Sequence, residues 1–381
     1  MMRIMTIYGT RPEAIKVAPL IHALNKDPRF ESIPVVTGQH REMLDGVNQV
    51  FGITPRHDLD VFAPGQGLNQ LMSKVFAGLD PVLAGEGPAA VVVQGDTSTV
   101  AAAAIAAYYR DIPVVHLEAG LRSGNLWSPF PEEGNRKITT QVTSLHLAPT
   151  HRAKANLLRE AVAESEIAVT GNTVIDALLM TSDHPQPLTD PRLREAVESG
   201  RPLLLVTTHR RENWGDAMQG VGKALRRLAQ RYPELVIVLP AHRNPIVRGS
   251  ILPHLEGADN VVVTEPLPYG QFTRVMAAAR VVLTDSGGVQ EEAPSLGTPV
   301  LVMRDTTERP EAVDAGTVRL IGTDENRIVD EVARLLDDPA SYREMATAVN
   351  PYGDGKAARR CVAAIAALLG LGHRLPDFQS R

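Results

Sequence analysis

The sequence predicts an α/β protein of two doubly wound, Rossmann-like domains whose active edges face each other across a cleft. Three observations support this. Short apolar runs alternate with helical segments along nearly the whole chain, the pattern of parallel sheets. Polar or ionisable residues follow almost every apolar run, at the strand ends where open parallel sheets bind ligands. Finally, 381 residues exceed one ordinary core.

The predicted strands form two series, one for each domain. The first series is Ile4–Tyr8, Ile33–Thr37, Ala90–Val93, Val114–Leu117 and Leu145–Ala148. The second series is Leu203–Thr207, Val236–Pro240, Val261–Thr264, Val281–Thr284 and Val300–Met303. Between them lies a stretch with several prolines and charges, residues 181–202, which cannot hold a regular strand. We place the domains at residues 1–172 and 173–354.

Composition excludes several classes of protein. The hydrophobic content of 44% and charged content of 22% are those of a soluble globular protein, and the net charge of −5 argues against a nucleic-acid partner. A single cysteine, Cys361, excludes an internal disulfide framework. There is no apolar stretch of export length and none near the ~20 residues of a membrane span, so we expect a cytoplasmic protein without a membrane partner.

No cofactor or metal is expected. Neither half contains Gly-x-Gly-x-x-Gly, which argues against a dinucleotide redox cofactor, and there is no Walker Gly-Lys-Ser/Thr loop. No histidine–carboxylate spacing is typical of a zinc site.

The run after Val281–Thr284 predicts a nucleoside diphosphate site. Ser286, Gly287 and Gly288 follow this buried strand and begin a helix, whose free N–H groups and dipole favour a phosphate. Glu292 lies about one helical turn past Gly288, where its carboxylate can accept hydrogen bonds from two ribose hydroxyls. A plain strand–turn–helix junction is the alternative.

Carboxylates of the first half are candidate acids and bases. Asp96 follows a buried strand, although an N-cap role would also explain it. Glu118 ends an apolar strand, where partial desolvation suits a carboxylate to proton transfer. Glu132 and Glu133 follow a proline-rich loop, and one of the two is expected to be only a helix N-terminal charge.

The second half supplies cations. His209, Arg210 and Arg211 follow a strand and can bind a diphosphate, since arginine matches phosphate oxygens in bidentate geometry. Arg11 can do the same from the first half, and for one of the three arginines a surface ion pair is the alternative. Acids in one domain and a phosphate site in the other suit proton transfer at a sugar carbon with a nucleotide leaving group.

These residues belong to blocks that cover essentially the full chain. The blocks are residues 9–16, 39–44, 94–99, 116–122, 131–136, 171–176, 209–213, 284–319 and 350–355. In these blocks the chain resembles the bacterial non-hydrolysing UDP-N-acetylglucosamine 2-epimerases. The resemblance implies a GT-B-like fold in which the C-terminal segment, residues 355–381, packs back on the first domain. It also implies a homodimer.

The resemblance implies reversible epimerisation of UDP-GlcNAc to UDP-ManNAc for envelope polysaccharide precursors. UDP leaves by anti elimination to give 2-acetamidoglucal, and it re-adds with C2 inverted. Asp96, Glu118 and Glu132 match the family's catalytic acids, and His209 matches the histidine that assists the leaving UDP. The substrate-binding positions match Arg11 and Lys16 in the cleft, Phe272 beside uracil, Ser286, Gly287 and Gly288 at the diphosphate, and Glu292 at the ribose.

In bacterial members a second UDP-GlcNAc can bind as an activator. Gln39 and His40 match part of that site, but Glu42 and Gly65 stand where some activated members carry glutamine and arginine. Gln94 replaces a histidine of the family's Gly-Asp-Thr block.

Three alternatives remain open. A hydrolysing epimerase would release ManNAc and UDP, and exclusion of water rather than any visible residue would distinguish it. A GT-B glycosyltransferase would show an apolar or basic patch for its acceptor, and none is visible. A nucleotide-sugar-binding regulator would lack the acids, which are all present.

Overall fold

The computed structural model describes residues 1–38, 41–63, 65–208, 210, 215–307 and 309–380, leaving out the side chains of residues 41–43. The chain divides into two compact units. Unit 1 comprises Met1–Met180 and Tyr352–Gln379, and unit 2 comprises Thr181–Pro351 with Ser380.

Unit 1 is built on a seven-stranded sheet in which all neighbouring strands are parallel, in the order β3-β2-β1-β4-β5-β6-β7. Its strands are β1 (Met2–Tyr8), β2 (Phe30–Val36), β3 (His57–Asp58), β4 (Ala90–Gln94), β5 (Val114–Leu117), β6 (Leu145–Ala148) and β7 (Ile167–Val169). Its helices are α1 (Arg11–Lys26), α2 (Arg41–Phe51), α3 (Leu68–Glu86), α4 (Ser98–Tyr108), α5 (Glu132–Gln141), α6 (His151–Arg159), α7 (Thr173–Asp183, in unit 1 up to Met180) and the last helix, α16 (Ala357–Leu368). The strand order reverses between β1 and β4, which is where doubly wound sheets bind their ligands.

Unit 2 repeats this plan with six parallel strands in the order β10-β9-β8-β11-β12-β13. The strands are β8 (Leu203–Thr207), β9 (Val236–Pro240), β10 (Val261–Thr264), β11 (Val281–Thr284), β12 (Val300–Val302) and β13 (Val318–Leu320). The helices are α8 (Pro191–Glu198), α9 (Asp216–Arg231), α10 (Pro245–Leu255), α11 (Tyr269–Ala278), α12 (Gly287–Glu292), α13 (Pro310–Asp314), α14 (Glu325–Asp337) and α15 (Pro339–Ala346). The order reverses between β8 and β11. The predicted class, α/β with two doubly wound parallel sheets, is confirmed.

The central strands are apolar because both of their faces are covered. All three valines of residues 91–93 are fully buried in β4, and the sheet packs on the alanine-rich face of α4, where residues 101–104 are buried too. Small alanines allow the helix to approach the sheet closely. Within the described residues, no helix is both long and apolar enough to cross a membrane.

The end of the chain packs within unit 1. The Asp176 carboxylate in α7 accepts hydrogen bonds from Ala357 N at 3.2 Å and Ala358 N at 2.9 Å, at the start of α16. Helix α16 packs on α1 and β6, and Phe378 N donates to Val169 O at 2.8 Å. Asp176 thus joins α7 to unit 1, whereas the sequence had placed residue 173 at the start of the second domain.

Candidate active site

Two neighbouring strand ends in unit 1 carry two of the candidate acids. Strands β1, β4 and β5 lie side by side, so the loops that follow them meet at one edge of the sheet. Glu118 follows β5 directly, and Asp96 follows Gly95 after β4. A Cβ on Gly95 would lie only 3.8 Å from Glu118 Oε2, which places the two loops in contact.

Glu118 is the most constrained residue of this edge. Its backbone has a φ of +64°, in the left-handed region that a non-glycine residue seldom adopts. The side chain is buried, and Lys16 Nζ lies 2.5 Å from its Oε1. Asn172 Nδ2 also donates to Oε1, at 3.1 Å, and Gln94 Nε2 donates to Oε2. These donors fix the carboxylate, and backbone strain of this kind clusters at functional sites.

The turn after Glu118 depends on a glycine. Gly120 has a φ of +90°, and a Cβ there would lie 2.3 Å from Ala153 O. Helix α6 therefore approaches this turn so closely that a larger residue would displace it.

Asp96 is partly exposed and bound to α5. Arg136 Nη2 donates to its Oδ2, and Asn135 Nδ2 donates to its backbone oxygen at 2.9 Å. The N-cap of α4 is Thr97, whose hydroxyl accepts from Val100 N, so the capping alternative for Asp96 is wrong. Its carboxylate is available for another role.

The structure separates the two glutamates at the start of α5. Glu133 is fully buried, and its carboxylate accepts from Ser123 N at 3.0 Å and Gly124 N at 3.1 Å. Burial alone would raise the pKa of Glu133, but these bonds and Arg136 lower it below its usual value. Glu132 Oε2, in contrast, is buried without a hydrogen-bond partner among the described residues. Glu133 is thus the structural member of the pair, and Glu132 has an oxygen to offer a substrate.

Two histidines behind this edge belong to the core. His116 is fully buried in β5, and its Nε2 donates to Gly95 O at 2.7 Å. Burial lowers the pKa of His116 to about 4 and that of His146, beside it in β6, to about 3. Both stay neutral near pH 7, and His116 supports the turn that carries Asp96.

In unit 2 the predicted phosphate loop lies between β11 and α12. Ser286 is the N-cap residue of α12, and its N–H donates to Thr284 Oγ1 at 2.9 Å. Pro294 lies in the 3₁₀ turn that follows α12, so the α-helix ends at Glu292.

Asp285, just before this loop, joins it to the end of β8. The side chain is fully buried and accepts from Thr208 Oγ1 at 3.0 Å and Arg210 N at 2.9 Å. Two strand-end loops of unit 2 therefore share one buried carboxylate.

The predicted ribose and base ligands come from α12 and α11. Glu292 is buried, and Tyr269 Oη donates to its Oε1 at 2.7 Å. A Cβ on Gly288 would lie 3.6 Å from Glu292 Oε2, so carboxylate and glycine are neighbours. Phe272 lies half-buried one turn after Tyr269 in α11.

Sequence analysis missed Arg309, which packs against the phosphate loop. A Cβ on Gly287 would lie 2.3 Å from Arg309 Nη1, so a larger residue would displace the guanidinium from this position. Arg309 Nε also lies 2.5 Å from Glu291 Oε1. In the sequence, Arg309 stands out only because Pro310, which begins a helix, follows it. A proline at the start of a helix is ordinary capping chemistry and indicates no ligand.

The remaining candidates are distributed as follows. Arg11 begins α1 and is half-buried, five residues before Lys16. His209, Gln39 and His40 lie outside the described residues.

Comparison with known proteins identifies the family. The family model described as UDP-N-acetylglucosamine 2-epimerase matches residues 22–366. A UDP-N-acetylglucosamine 2-epimerase of Escherichia coli K12 is 51% identical over 371 residues, which cover 96% of this chain and 98% of the relative. The chain belongs to the UDP-N-acetylglucosamine 2-epimerase family. The resemblance in the sequence is thus confirmed, and the protein is an isomerase of this family.

Solved structures of 2-epimerases have the same fold as this chain over nearly its full length. A putative UDP-N-acetylglucosamine 2-epimerase from Listeria monocytogenes has a TM-score of 0.93 and 45% identity, with 99% of each chain covered. The UDP-GlcNAc 2-epimerase from Neisseria meningitidis, solved bound to UDP-GlcNAc, has a TM-score of 0.86 and 43% identity, covering 96% of this chain and 100% of that one.

Proposed function

We propose that this 2-epimerase interconverts UDP-GlcNAc and UDP-ManNAc without net hydrolysis, by anti elimination and re-addition of UDP. The observation that carries the proposal is the set of carboxylates in unit 1, two after β4 and β5 and one at the start of α5. Glu118 is held by Lys16 and Asn172, Asp96 by Arg136, and Glu132 keeps a buried oxygen without a partner. Inversion at C2 requires a proton to leave one face and return to the other, which needs more than one positioned acid–base group.

The first half-reaction breaks two bonds. A carboxylate takes the proton from C2 while the bond from C1 to the phosphate oxygen breaks, and UDP leaves with that electron pair. The product is 2-acetamidoglucal, with a double bond between C1 and C2. In the return step UDP adds to C1 and a carboxylic acid protonates C2 from the opposite face. Asp96, Glu118 and Glu132 share these transfers in the proposal.

The nucleotide belongs to unit 2 in this proposal. The Ser286 side chain and the N–H groups of Gly287 and Gly288 bind the diphosphate, and the Arg309 guanidinium beside Gly287 adds positive charge as UDP leaves. Glu292 accepts from the ribose hydroxyls, and Phe272 stacks beside uracil. The Neisseria relative, solved with UDP-GlcNAc, supports a nucleotide-sugar ligand.

Lys16, Arg11 and His209 complete the proposed site. Lys16 pairs with Glu118 and holds its carboxylate in place. Arg11 supplies a cation for the diphosphate, and His209 assists the departing UDP.

Four further expectations belong to the proposal. A second UDP-GlcNAc binds as an activator at Gln39 and His40. The protein forms a homodimer, works in the cytoplasm, and supplies ManNAc units for an envelope polysaccharide.

Proton NMR of UDP-GlcNAc with the purified protein in D₂O tests the reaction. We expect UDP-ManNAc with deuterium at C2 and little free UDP. Accumulation of UDP with free ManNAc would replace the proposal by a hydrolysing epimerase, and an unchanged spectrum at high substrate concentration would remove the epimerase activity itself.

A further inference from the structure

Glu13, in the first turn of α1, connects two loops of the candidate site. Its side chain is buried, with 2% of its surface exposed. Oε2 accepts from Gly9 N at 2.6 Å and Thr10 N at 3.0 Å, in the loop after β1. Oε1 accepts from Thr97 Oγ1 at 2.6 Å, in the loop after β4. One carboxylate therefore binds the ends of two adjacent strands together.

Helix capping explains only part of this arrangement. In a capping box, the backbone N–H of Thr10 donates to the Glu13 carboxylate. The bonds from Gly9 and from the Thr97 hydroxyl lie beyond it, and the Thr97 bond joins residues 84 positions apart. The side chain thus serves the sheet edge as well as its own helix.

Burying a charged side chain at this position costs free energy. Burial raises the pKa of Glu13 to about 7, and the negative charge of Asp96 on the neighbouring loop acts in the same direction. Asp96 is in turn paired with Arg136 of α5. A glutamine could accept the two backbone bonds without any cost for burying charge. Glutamine has only one acceptor oxygen, so it could not also accept the bond from Thr97 Oγ1. The carboxylate is therefore explained by the tie between the two loops rather than by the cap.

We propose that Glu13 is a positioning residue for the epimerisation, which ties the loop just before Arg11 to the loop carrying Asp96. This inference rests on the proposed function. Glu13 does not touch the substrate, because both of its oxygens are occupied by donors of its own chain. Its bonds set the spacing between a cation for the diphosphate and an acid for C2. Displacement of a reacting group by about 1 Å can cost about 10²-fold in rate.

Two substitutions test the tie from its opposite ends. Glu13→Gln keeps the size and the capping ability of the side chain but removes the charge. Thr97→Val removes the hydroxyl that bonds to Glu13 and also caps α4, and Thr97→Ser restores both bonds. Thermal unfolding shows how much of any effect comes from the lost cap. Steady-state kinetics of UDP-GlcNAc epimerisation, UDP affinity by calorimetry and thermal unfolding are measured for each variant.

We expect Glu13→Gln and Thr97→Val each to lower kcat by about 10–100-fold, with KM and UDP affinity within about threefold of wild type. Thr97→Ser should regain most of kcat. The ratio of wild-type to Glu13→Gln kcat should shrink as the pH falls from about 8 to about 6, because protonated Glu13 resembles glutamine. A helix cap that glutamine can replace would leave this ratio unchanged with pH.

Wild-type kcat in both Glu13→Gln and Thr97→Val would overturn the inference and leave Glu13 as a helix cap. If Glu13→Gln fails to fold, Thr97→Val decides alone, with Thr97→Ser as its control. Wild-type protein without epimerase activity would instead overturn the proposed function, so the two failures are distinguishable.

Discussion

Lys16 Nζ and Glu118 Oε1 lie 2.5 Å apart and join the first helix to the turn after β5. Both side chains are largely buried, with 16% and 6% of their surfaces exposed. Because the residue that balances Glu118 comes from a different element, the position of the carboxylate depends on how α1 packs. The pair therefore links the stability of unit 1 to the geometry of its acids.

Lys16→Met should lower both activity and stability. Removing one partner leaves a buried carboxylate without its counter-charge, which costs about 3 kcal/mol in the free energy of unfolding. Lys137→Met is the matched control, because Lys137 forms an ion pair with Glu160 while 43% of its side chain is exposed. Exposed pairs contribute about 0–1 kcal/mol. The free energy of unfolding in urea and kcat are measured for both variants. If both quantities changed as little in Lys16→Met as in Lys137→Met, the role of Lys16 would be contradicted.

Glu132→Gln should abolish turnover while UDP binding and the thermal midpoint stay near wild type. Glu132 offers an oxygen that no described group occupies, so its loss removes chemistry rather than support. The neighbouring Glu133→Gln should instead lower the thermal midpoint, because Glu133 holds Ser123 N, Gly124 N and Arg136. Calorimetric unfolding and NMR turnover separate the two variants. Normal turnover in Glu132→Gln would remove this residue from the mechanism.

Glu292→Ala should weaken UDP binding by about 10–100-fold, since hydrogen bonds to a charged group contribute about 1.5–3 kcal/mol. Tyr269→Phe is the control. It removes the donor to Glu292 Oε1 but keeps the carboxylate, so it should weaken UDP less. Calorimetric titration with UDP measures both. An unchanged dissociation constant for Glu292→Ala would exclude the ribose role.

Asp176 should make unit 1 less stable as the pH rises. Burial is the main cause that raises the pKa of Asp176, from 3.8 to about 6, and Asp354 adds to it. A carboxyl group with a raised folded pKa stabilises fully below its unfolded pKa and loses this contribution as the pH rises through the folded value. The contribution of Asp176 to the free energy of unfolding should therefore fall by roughly 3 kcal/mol between about pH 3.8 and pH 6.

Asp176→Asn should lack this pH dependence, because it cannot ionise. It also loses one of the two bonds to Ala357 and Ala358, so it should be the less stable protein at low pH. Urea unfolding of both proteins at several pH values provides the comparison. Parallel pH profiles for wild type and variant would contradict the assignment.

Long apolar runs made most of the sheet predictable. Six predicted strands coincide with the observed ones, among them Val114–Leu117 and Val281–Thr284. Strands β3, β7 and β13 were missed because each has only two or three residues and is too short for a periodic signal.

The candidate site was predictable where a residue type follows a strand, as for Asp96, Glu118 and the loop at Ser286. Contacts between residues that lie far apart in the sequence were not predictable. Nothing local predicts that Glu118 adopts a φ of +64°, or that Thr97 completes the bonds of Glu13. The packing of Arg309 on Gly287 likewise arises from strand order, which local patterns do not encode.

The return of the chain to unit 1 sets an order of events during synthesis. Helix α16 and the residues around Phe378 are translated after residues 181–351 of unit 2. At about 5–20 residues per second, the ribosome takes on the order of 10–30 s to make residues 181–351. Throughout this interval the nascent sheet of unit 1 exposes the surface of α1 and β6 that α16 later covers. Unit 2 can therefore complete its fold first, although unit 1 begins the chain.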